Sequence, residues 1–153
     1  MSGGADDSEF ATFMHDAEPR LRRALVAAFG SQRGRDAAAE GLAWGWEHWD
    51  RVREMQNPIG YLYRVGRSRT RDRRRPVVFV RDDTPEPWVE PQLAPALARL
   101  SERQRLAVVL VHGFGWTMPE VAELTGIKVT SVQNHLDRGL RHLRAALGVH
   151  EHD

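Results

Sequence analysis

Five prolines between positions 76 and 95 (Pro76, Pro85, Pro87, Pro91 and Pro95) rule out a long helix through the middle of this 153-residue chain. Proline has no amide hydrogen to donate, and it disfavours helical backbone in the residue before it. The same stretch carries Asp82, Asp83, Glu86 and Glu90 against Arg81. An acidic, proline-punctuated segment between two sequences of helical periodicity reads as a linker. The expected fold class is therefore all-α, two small helical domains joined by an extended acidic, proline-rich linker. The predicted division is a flexible N-terminus over 1–8, a helical domain over 9–75, the linker over 76–95, a second helical domain over 96–148 and a tail over 149–153. Val77 to Val80 is rich in strand-forming residues but has no second strand to pair with, so it is expected to be extended.

Charge is segregated in the same pattern. The net charge is only +1, yet Arg64 to Arg75 holds seven arginines against Asp72. Salt screens charges beyond about 10 Å, so such blocks act locally and a near-neutral total does not exclude a nucleic-acid partner. Hydrophobic residues make up 41% of the chain, enough for a core. The longest apolar run, Ala107 to Val111, falls far short of the roughly 20 residues that span a bilayer. The N-terminus is small and acidic, unlike a secretory signal, and there is no cysteine for a disulfide, a thiolate nucleophile or a cysteine zinc site. These features point to a cytoplasmic protein without membrane insertion.

In the first half, Phe10, Phe13, Met14, Leu21, Leu25 and Phe29 predict a helix with a break or kink at Pro19. A second helix is expected over Asp36 to Trp49, with Leu42, Trp46 and Trp49 on one face as core. Asn57-Pro58 opens a third, since proline is tolerated in a first turn. Its apolar side is Ile59, Leu62 and Val65. Tyr61 and Tyr63 lie two residues apart and cannot both face one way, so at least one must pack.

The second half has sharper local signals. Ser101 with Gln104, and Thr117 with Glu120, are capping boxes that start two helices. Gly126 supplies the backbone freedom of a tight turn. Val132, Leu136, Leu140, Leu143 and Leu147 then mark one stripe of a last helix, from about Val129 to Leu147. Short helix, glycine turn and longer amphipathic helix form the pattern of a helix-turn-helix. Ala122 is small where the helices must cross, and Val121, Ile127, Val132 and Leu136 fill the core between them. The opposite face carries Thr130, Ser131, Gln133, Asn134, His135 and Arg138, all able to hydrogen-bond a base edge or phosphate in a major groove. Thr117, Lys128 and Arg141 are candidate phosphate contacts.

No constellation points to catalysis. His112, His135, His142, His150 and His152 lack the spacing of a helical zinc site, and no phosphate-cradling glycine loop or nucleophile–base pair stands out. No catalytic residue, metal or cofactor is expected.

Leu97 to Leu147 resembles the promoter-reading domain of extracytoplasmic-function sigma factors of bacterial RNA polymerase. The resemblance rests on Leu97 and Leu100, Gln104-Arg105, the apolar run to Val111, Glu120 and Ala122, Gly126, and Arg138-Gly139-Leu140 with Leu143. The first half resembles the family's core-polymerase and promoter-melting domain through Asp36, Glu40, Trp46, Trp49-Asp50, Asn57-Pro58 and the run from Tyr61 to Arg67. The resemblance implies a two-domain sigma-factor fold, with regions 2-like and 4-like. It implies that Asp36 and Glu40 dock on the polymerase clamp helices and that the second domain meets the flap. It places Tyr61, Arg64, Arg67, Arg71 and Arg74 on the minus-ten element, and the recognition helix on the minus-thirty-five element. Stacking of an unpaired base on a tyrosine is worth about 1–3 kcal/mol. The implied partners are core RNA polymerase, promoter DNA and an anti-sigma factor. The acidic linker would occupy basic channels of the polymerase.

The chain departs from the family pattern at several positions. Arg69, Arg71 and Arg74 stand where apolar residues are usual. Lys128 replaces a capping Ser or Thr, Gln133 and His135 replace basic residues, and Ala37 to Ala39 replace larger side chains. These departures frame the alternative expectation, a sigma-like DNA- or polymerase-binding accessory regulator that no longer melts promoters.

Overall fold

The computed structural model describes residues 3–70, 76–80 and 91–148. It consists of α1 (Gly3–Phe29), α2 (Ser31–Glu47), α3 (Trp49–Val52), α4 (Pro58–Arg69), α5 (Leu93–Arg99), α6 (Glu102–Val108), a widened π turn (Val109–Gly113), α7 (Met118–Thr125) and α8 (Val129–Ala146). The fold is all-α, with no strand among the described residues. None of these helices is long and apolar enough to cross a membrane.

Helix α1 differs from expectation at both of its marked points. It starts at Gly3 rather than Phe10, and it runs through Pro19 without interruption. Residues 3–8 are therefore helical, and Arg53 binds them with its two terminal nitrogens, 3.1 Å from Asp6 and 2.7 Å from Glu9. Pro19 costs one backbone bond, but Ala17, Leu21, Ala24 and Leu25 on either side of it are buried, and their packing carries the helix through the gap without a break.

Helices α1, α2 and α4 form the first bundle. Leu21, Leu25 and Leu62 are its fully buried centre. Small residues let the helices close on one another. A Cβ placed on Gly34 would lie 2.4 Å from the Val26 backbone, and one on Gly66 would lie 2.7 Å from the Ala37 carbonyl oxygen. The unusual alanines of α2 thus have a packing role: Ala37 and Ala38 are buried under α4, whereas Ala39 is exposed. Asn57 caps α4 by accepting from the Gly60 amide at 3.1 Å. At the rim, Phe10, Phe13, Trp46 and Trp49 form a ring cluster with centroids 5.1–6.2 Å apart. Trp49 is core as expected, while Trp46 stays 45% exposed and touches only the edge of the cluster through Phe10.

Residues 76–80 are extended and lie over the start of α2. The Ser31 amide donates to the Val78 carbonyl at 2.8 Å, and the Val80 amide donates to the Ser31 hydroxyl at 2.9 Å. The rest of the acidic stretch, residues 81–90, lies outside the described residues, as do 71–75 and 149–153.

Both capping boxes form, at Ser101–Gln104 and at Thr117–Glu120. Helix α5 is an addition to the sequence reading, which named Leu97 and Leu100 but predicted no helix there. It starts two residues ahead of Pro95, so that this proline sits in the first turn, where its missing amide is not needed. Helices α6 and α8 cross at Gly139, where a Cβ would lie 2.8 Å from Val108.

The two helical bodies are not separate. Helix α1 packs on α6 and α4 on α7, and one continuous set of buried apolar residues runs from Leu21 through Leu106 to Val132. At its centre is Arg105, only 4% exposed. Its Nε donates to the Ala28 carbonyl at the end of α1 (2.7 Å), and Nη1 donates to Leu100 (2.7 Å), Ala98 (3.3 Å) and Leu97 (3.4 Å) at the end of α5. Helix C-termini present carbonyls without intrahelical partners and a partial negative charge, and a guanidinium answers both. Burial lowers the Arg105 pKa.

Replacing Arg105 by Met keeps the apolar stem and strips these carbonyls of their donor. An unsatisfied buried acceptor costs about 1–3 kcal/mol. The expected loss for Arg105→Met is on the order of 3 kcal/mol in urea unfolding, and an unchanged midpoint would show the bridge to be dispensable.

Candidate nucleic-acid interface

The helix-turn-helix is built from its caps inward. The Thr117 hydroxyl accepts from the Glu120 amide at 3.2 Å, and the Glu120 carboxylate accepts from the Thr117 amide at 3.1 Å and its hydroxyl at 2.9 Å. These two hydrogen bonds from Thr117 hold the Glu120 carboxyl below its ordinary pKa. Gly126 closes α7 in the left-handed conformation, φ 76°. Val121, Ala122, Val132, Leu136 and Leu143 are buried between the helices, with Ile127, Leu140 and Leu147 packed around them.

That packing leaves one face of α8 open. Thr130, Gln133, Asn134, Arg138 and Arg141 are exposed, and Ser131 and His135 are half-buried beside them. The pKa of His135 is lowered by its burial first and then by the nearby positive charges of Arg103 and Arg138. Lys128 is exposed at the start of α8 and makes no side-chain cap. Thr117 is also exposed, but its hydroxyl is committed to Glu120.

In the first bundle the two tyrosines part company. Tyr63 is 3% exposed and packs in the core, where burial raises its pKa. Tyr61 is half-buried, its ring 5.3 Å from that of Trp44. Trp44 is stacked by His48 and has Arg51 over it, a cluster the sequence reading passed over because no periodicity marks it. Arg64 is exposed, one turn beyond Tyr61. Arg71 and Arg74, also expected on this surface, lie outside the described residues. Asp36 and Glu40 lie on the outer face of α2, both exposed, with Gln32 donating to Asp36 at 3.1 Å.

Arg67 has a partner that its sequence context did not suggest. Its Nε donates to the Glu102 carboxylate at 2.6 Å, a bond between the two bodies that raises the Arg67 pKa. Beside it the Asn57 amide donates to the Glu123 carbonyl at 2.8 Å. Arg20 lies over Trp116 and Arg23 over Phe114. The docked interface therefore runs along α4, whose outer turns carry Tyr61 and Arg64. Among the described residues no group of three or more His, Cys, Asp or Glu could hold a metal ion, and His150 and His152 lie outside them.

Residues 92–143 match the model of the family "Sigma-70, region 4". No curated protein sequence matches the chain. Among solved structures, the chain is similar to the sigma factor RpoE in its complex with the anti-sigma factor NepR from Bartonella quintana. The likeness has a TM-score of 0.63 at 20% identity and covers 94% of this chain and 99% of that one. The sigma-factor fold therefore extends over both bodies, not only the region 4 domain.

The Glu120 cap has a pH signature. A carboxyl with a lowered folded-state pKa stabilises the fold above its unfolded value, about 4.3, and that contribution disappears as pH falls through the folded value. Glu120→Gln keeps a capping-box residue and removes the charge. In thermal melts between about pH 5 and about pH 3 the variant is expected to lose less stability than the parent. Parallel losses would mean that this carboxyl does not contribute.

Proposed function

We propose that the protein is a sigma factor of the extracytoplasmic-function type, a non-catalytic cytoplasmic subunit that binds core RNA polymerase and directs promoter recognition and initiation. The single observation that supports this most is the joint one: a region 4 sequence match over residues 92–143, set in a chain whose two bodies share the fold of a sigma factor from end to end. In this reading residues 9–75 bind core polymerase and the minus-ten element, 76–95 link, and 96–148 read the minus-thirty-five element.

The residue roles follow from exposure and chemistry. Asn134 and Arg138 offer bidentate hydrogen bonding to base edges, worth about 1–3 kcal/mol of discrimination each. Thr130, Ser131 and Gln133 contribute single bonds, and Lys128 and Arg141 meet phosphate. Thr117 meets phosphate only by giving up its contacts with Glu120, because its amide and its hydroxyl are both used in the cap. Asp36 and Glu40 face the clamp helices of the polymerase. Tyr61, Arg64 and Arg67 meet the minus-ten element.

Both elements cannot be read from the docked arrangement. About 25 base pairs separate them, about 85 Å at about 3.4 Å per base pair. A compact chain of this length has a radius of gyration of about 15 Å. Promoter recognition therefore requires α4 and α7 to part, which exchanges the Arg67–Glu102 pair for contact with phosphate. The RpoE structure was solved with an anti-sigma factor, and by analogy an anti-sigma partner would hold this chain in its docked form.

Run-off transcription with purified core polymerase tests the assignment. A promoter-specific transcript is expected, with Arg138→Ala lowering it about tenfold or more. Tight core binding without a transcript would favour the accessory-regulator alternative. Recognition should also be pH-dependent. DNA phosphates favour protonated His135, whose pKa is lowered in the free protein, so binding takes up a proton and affinity rises as pH falls. Fluorescence anisotropy with a minus-thirty-five duplex should show a few-fold gain from about pH 7.5 to about pH 6, flattened in His135→Gln. An identical profile in the two proteins would remove His135 from the interface.

A further inference from the structure

In the proposed function Tyr61 meets the minus-ten element, while its neighbours Trp44, His48 and Arg51 have no part. Trp44 does not belong to the ring cluster of Phe10, Phe13, Trp46 and Trp49; its ring contacts are with His48 and Tyr61. His48 stacks on Trp44 nearly parallel, at 17° and 4.1 Å between centroids. It is held there by its own Nδ1, which donates to the Trp44 carbonyl at 2.9 Å, a carbonyl being able only to accept. The guanidinium of Arg51 lies over the Trp44 ring, 5.8 Å from the centroid. Trp44 is thus fixed by two neighbours, and its third contact is the ring of Tyr61, tilted at 37°.

Tyr61 and Trp44 are both half-buried; Arg51, over Trp44, is exposed, and so is Arg64 one turn beyond Tyr61, its guanidinium reaching toward Gly126 at the end of α7. Two half-buried rings with an exposed guanidinium over one of them suit one kind of ligand, an unpaired nucleobase with its phosphates. Every base offers a π face once it leaves the duplex, and basic groups follow the backbone. A duplex hides those faces and would meet only the arginines.

We infer that Trp44 is the positioning residue for Tyr61, bracing its ring so that an unpaired base of single-stranded DNA stacks on it while Arg51 and Arg64 meet the adjoining phosphates. This rests on the sigma-factor reading for its biological setting, since promoter opening is what would present such a base. The physical claim concerns the ring pair alone. An unbraced tyrosine would sample several rotamers and lose that freedom on each binding event; the Trp44 contact removes that cost beforehand.

The test uses the full chain and a fluorescein-labelled single-stranded oligonucleotide of about 12 nucleotides, within the site sizes usual for such surfaces. Binding is followed by anisotropy, and far-UV circular dichroism and thermal melting confirm that each variant is folded. Tyr61→Ala is expected to weaken binding at least fivefold and Trp44→Ala about three- to tenfold. Trp44→Phe, which keeps a ring against Tyr61, should recover most of the loss, whereas Trp44→Leu, which only fills space, should not. Trp44→Ala added to Tyr61→Ala should cost nothing further, because the brace acts through that tyrosine. Equal binding by the parent and Trp44→Ala, full recovery with Leu, additive losses in the double variant, or no binding by the parent would each overturn the inference. Run-off transcription on the same proteins keeps the two ideas apart. A missing parent transcript with the oligonucleotide pattern intact sinks the sigma-factor reading and leaves the brace standing.

Discussion

The guanidinium of Arg105 meets the open C-terminal ends of two helices, α1 and α5, at the same point. Both ends present carbonyls that have no partner in their own helix, and both would be buried unsatisfied without it. One charged side chain at 4% exposure is an unfavourable thing to bury on its own. It is tolerated because four carbonyl oxygens and the partial negative charge at the helix ends replace its water. Since α1 belongs to the first body and α5 to the second, this arrangement also sets how the bodies meet. The Arg67–Glu102 and Asn57–Glu123 contacts lie along the same seam. The Arg67–Glu102 pair is about one-third exposed and contributes about 0–1 kcal/mol after solvent screening. Register comes from the buried arginine; the ion pair adds little energy.

The hierarchy fits a protein that must change shape. A seam held by apolar packing and one buried arginine is strong as a whole, but its polar members along α4 are also the groups that nucleic acid would engage. Arg67 illustrates the exchange. The same guanidinium pairs with a carboxylate in the docked chain and with phosphate in the proposed promoter complex, so its electrostatic energy is nearly conserved on opening. Opening then has to overcome mainly the apolar contacts between α1 and α6 and around Arg105. In the proposed function, core polymerase, engaging Asp36 and Glu40 on α2, would supply that free energy.

How much of this could be read from the chain depends on the range of the interactions. The capping boxes at Ser101 and Thr117, the Gly126 turn, the cap at Asn57 and the stripe along α8 are decided within a few residues, and all five are present as expected. The exposed face of α8 followed from that stripe, because burying Val132, Leu136 and Leu143 leaves Asn134 and Arg138 outside. Features decided over longer range were not legible. Helix α1 continues through Pro19 because of packing, not propensity. Its first turns are met by Arg53, far along the chain, which pairs with Asp6 and Glu9. Helix α5 completes the cradle of Arg105 and had no amphipathic pattern of its own. Arg105 itself was visible only as half of a family motif, with nothing to say that it was buried.

The tyrosine pair shows the boundary between the two kinds of information. Spacing alone required Tyr61 and Tyr63 to face differently, and helix α4 could have buried either. Gly41, Gly45 and Gly66 let α2 and α4 approach closely, and the Tyr63 side of α4 lies in the core. Tyr61 is then left on the rim, where the end of α2 delivers Trp44 to its ring. A side chain at Gly66 would meet the Ala37 carbonyl and Leu25, so it could be accommodated only by lifting α4 from α2. Surface chemistry on this chain is a consequence of how closely its small residues allow the helices to pack.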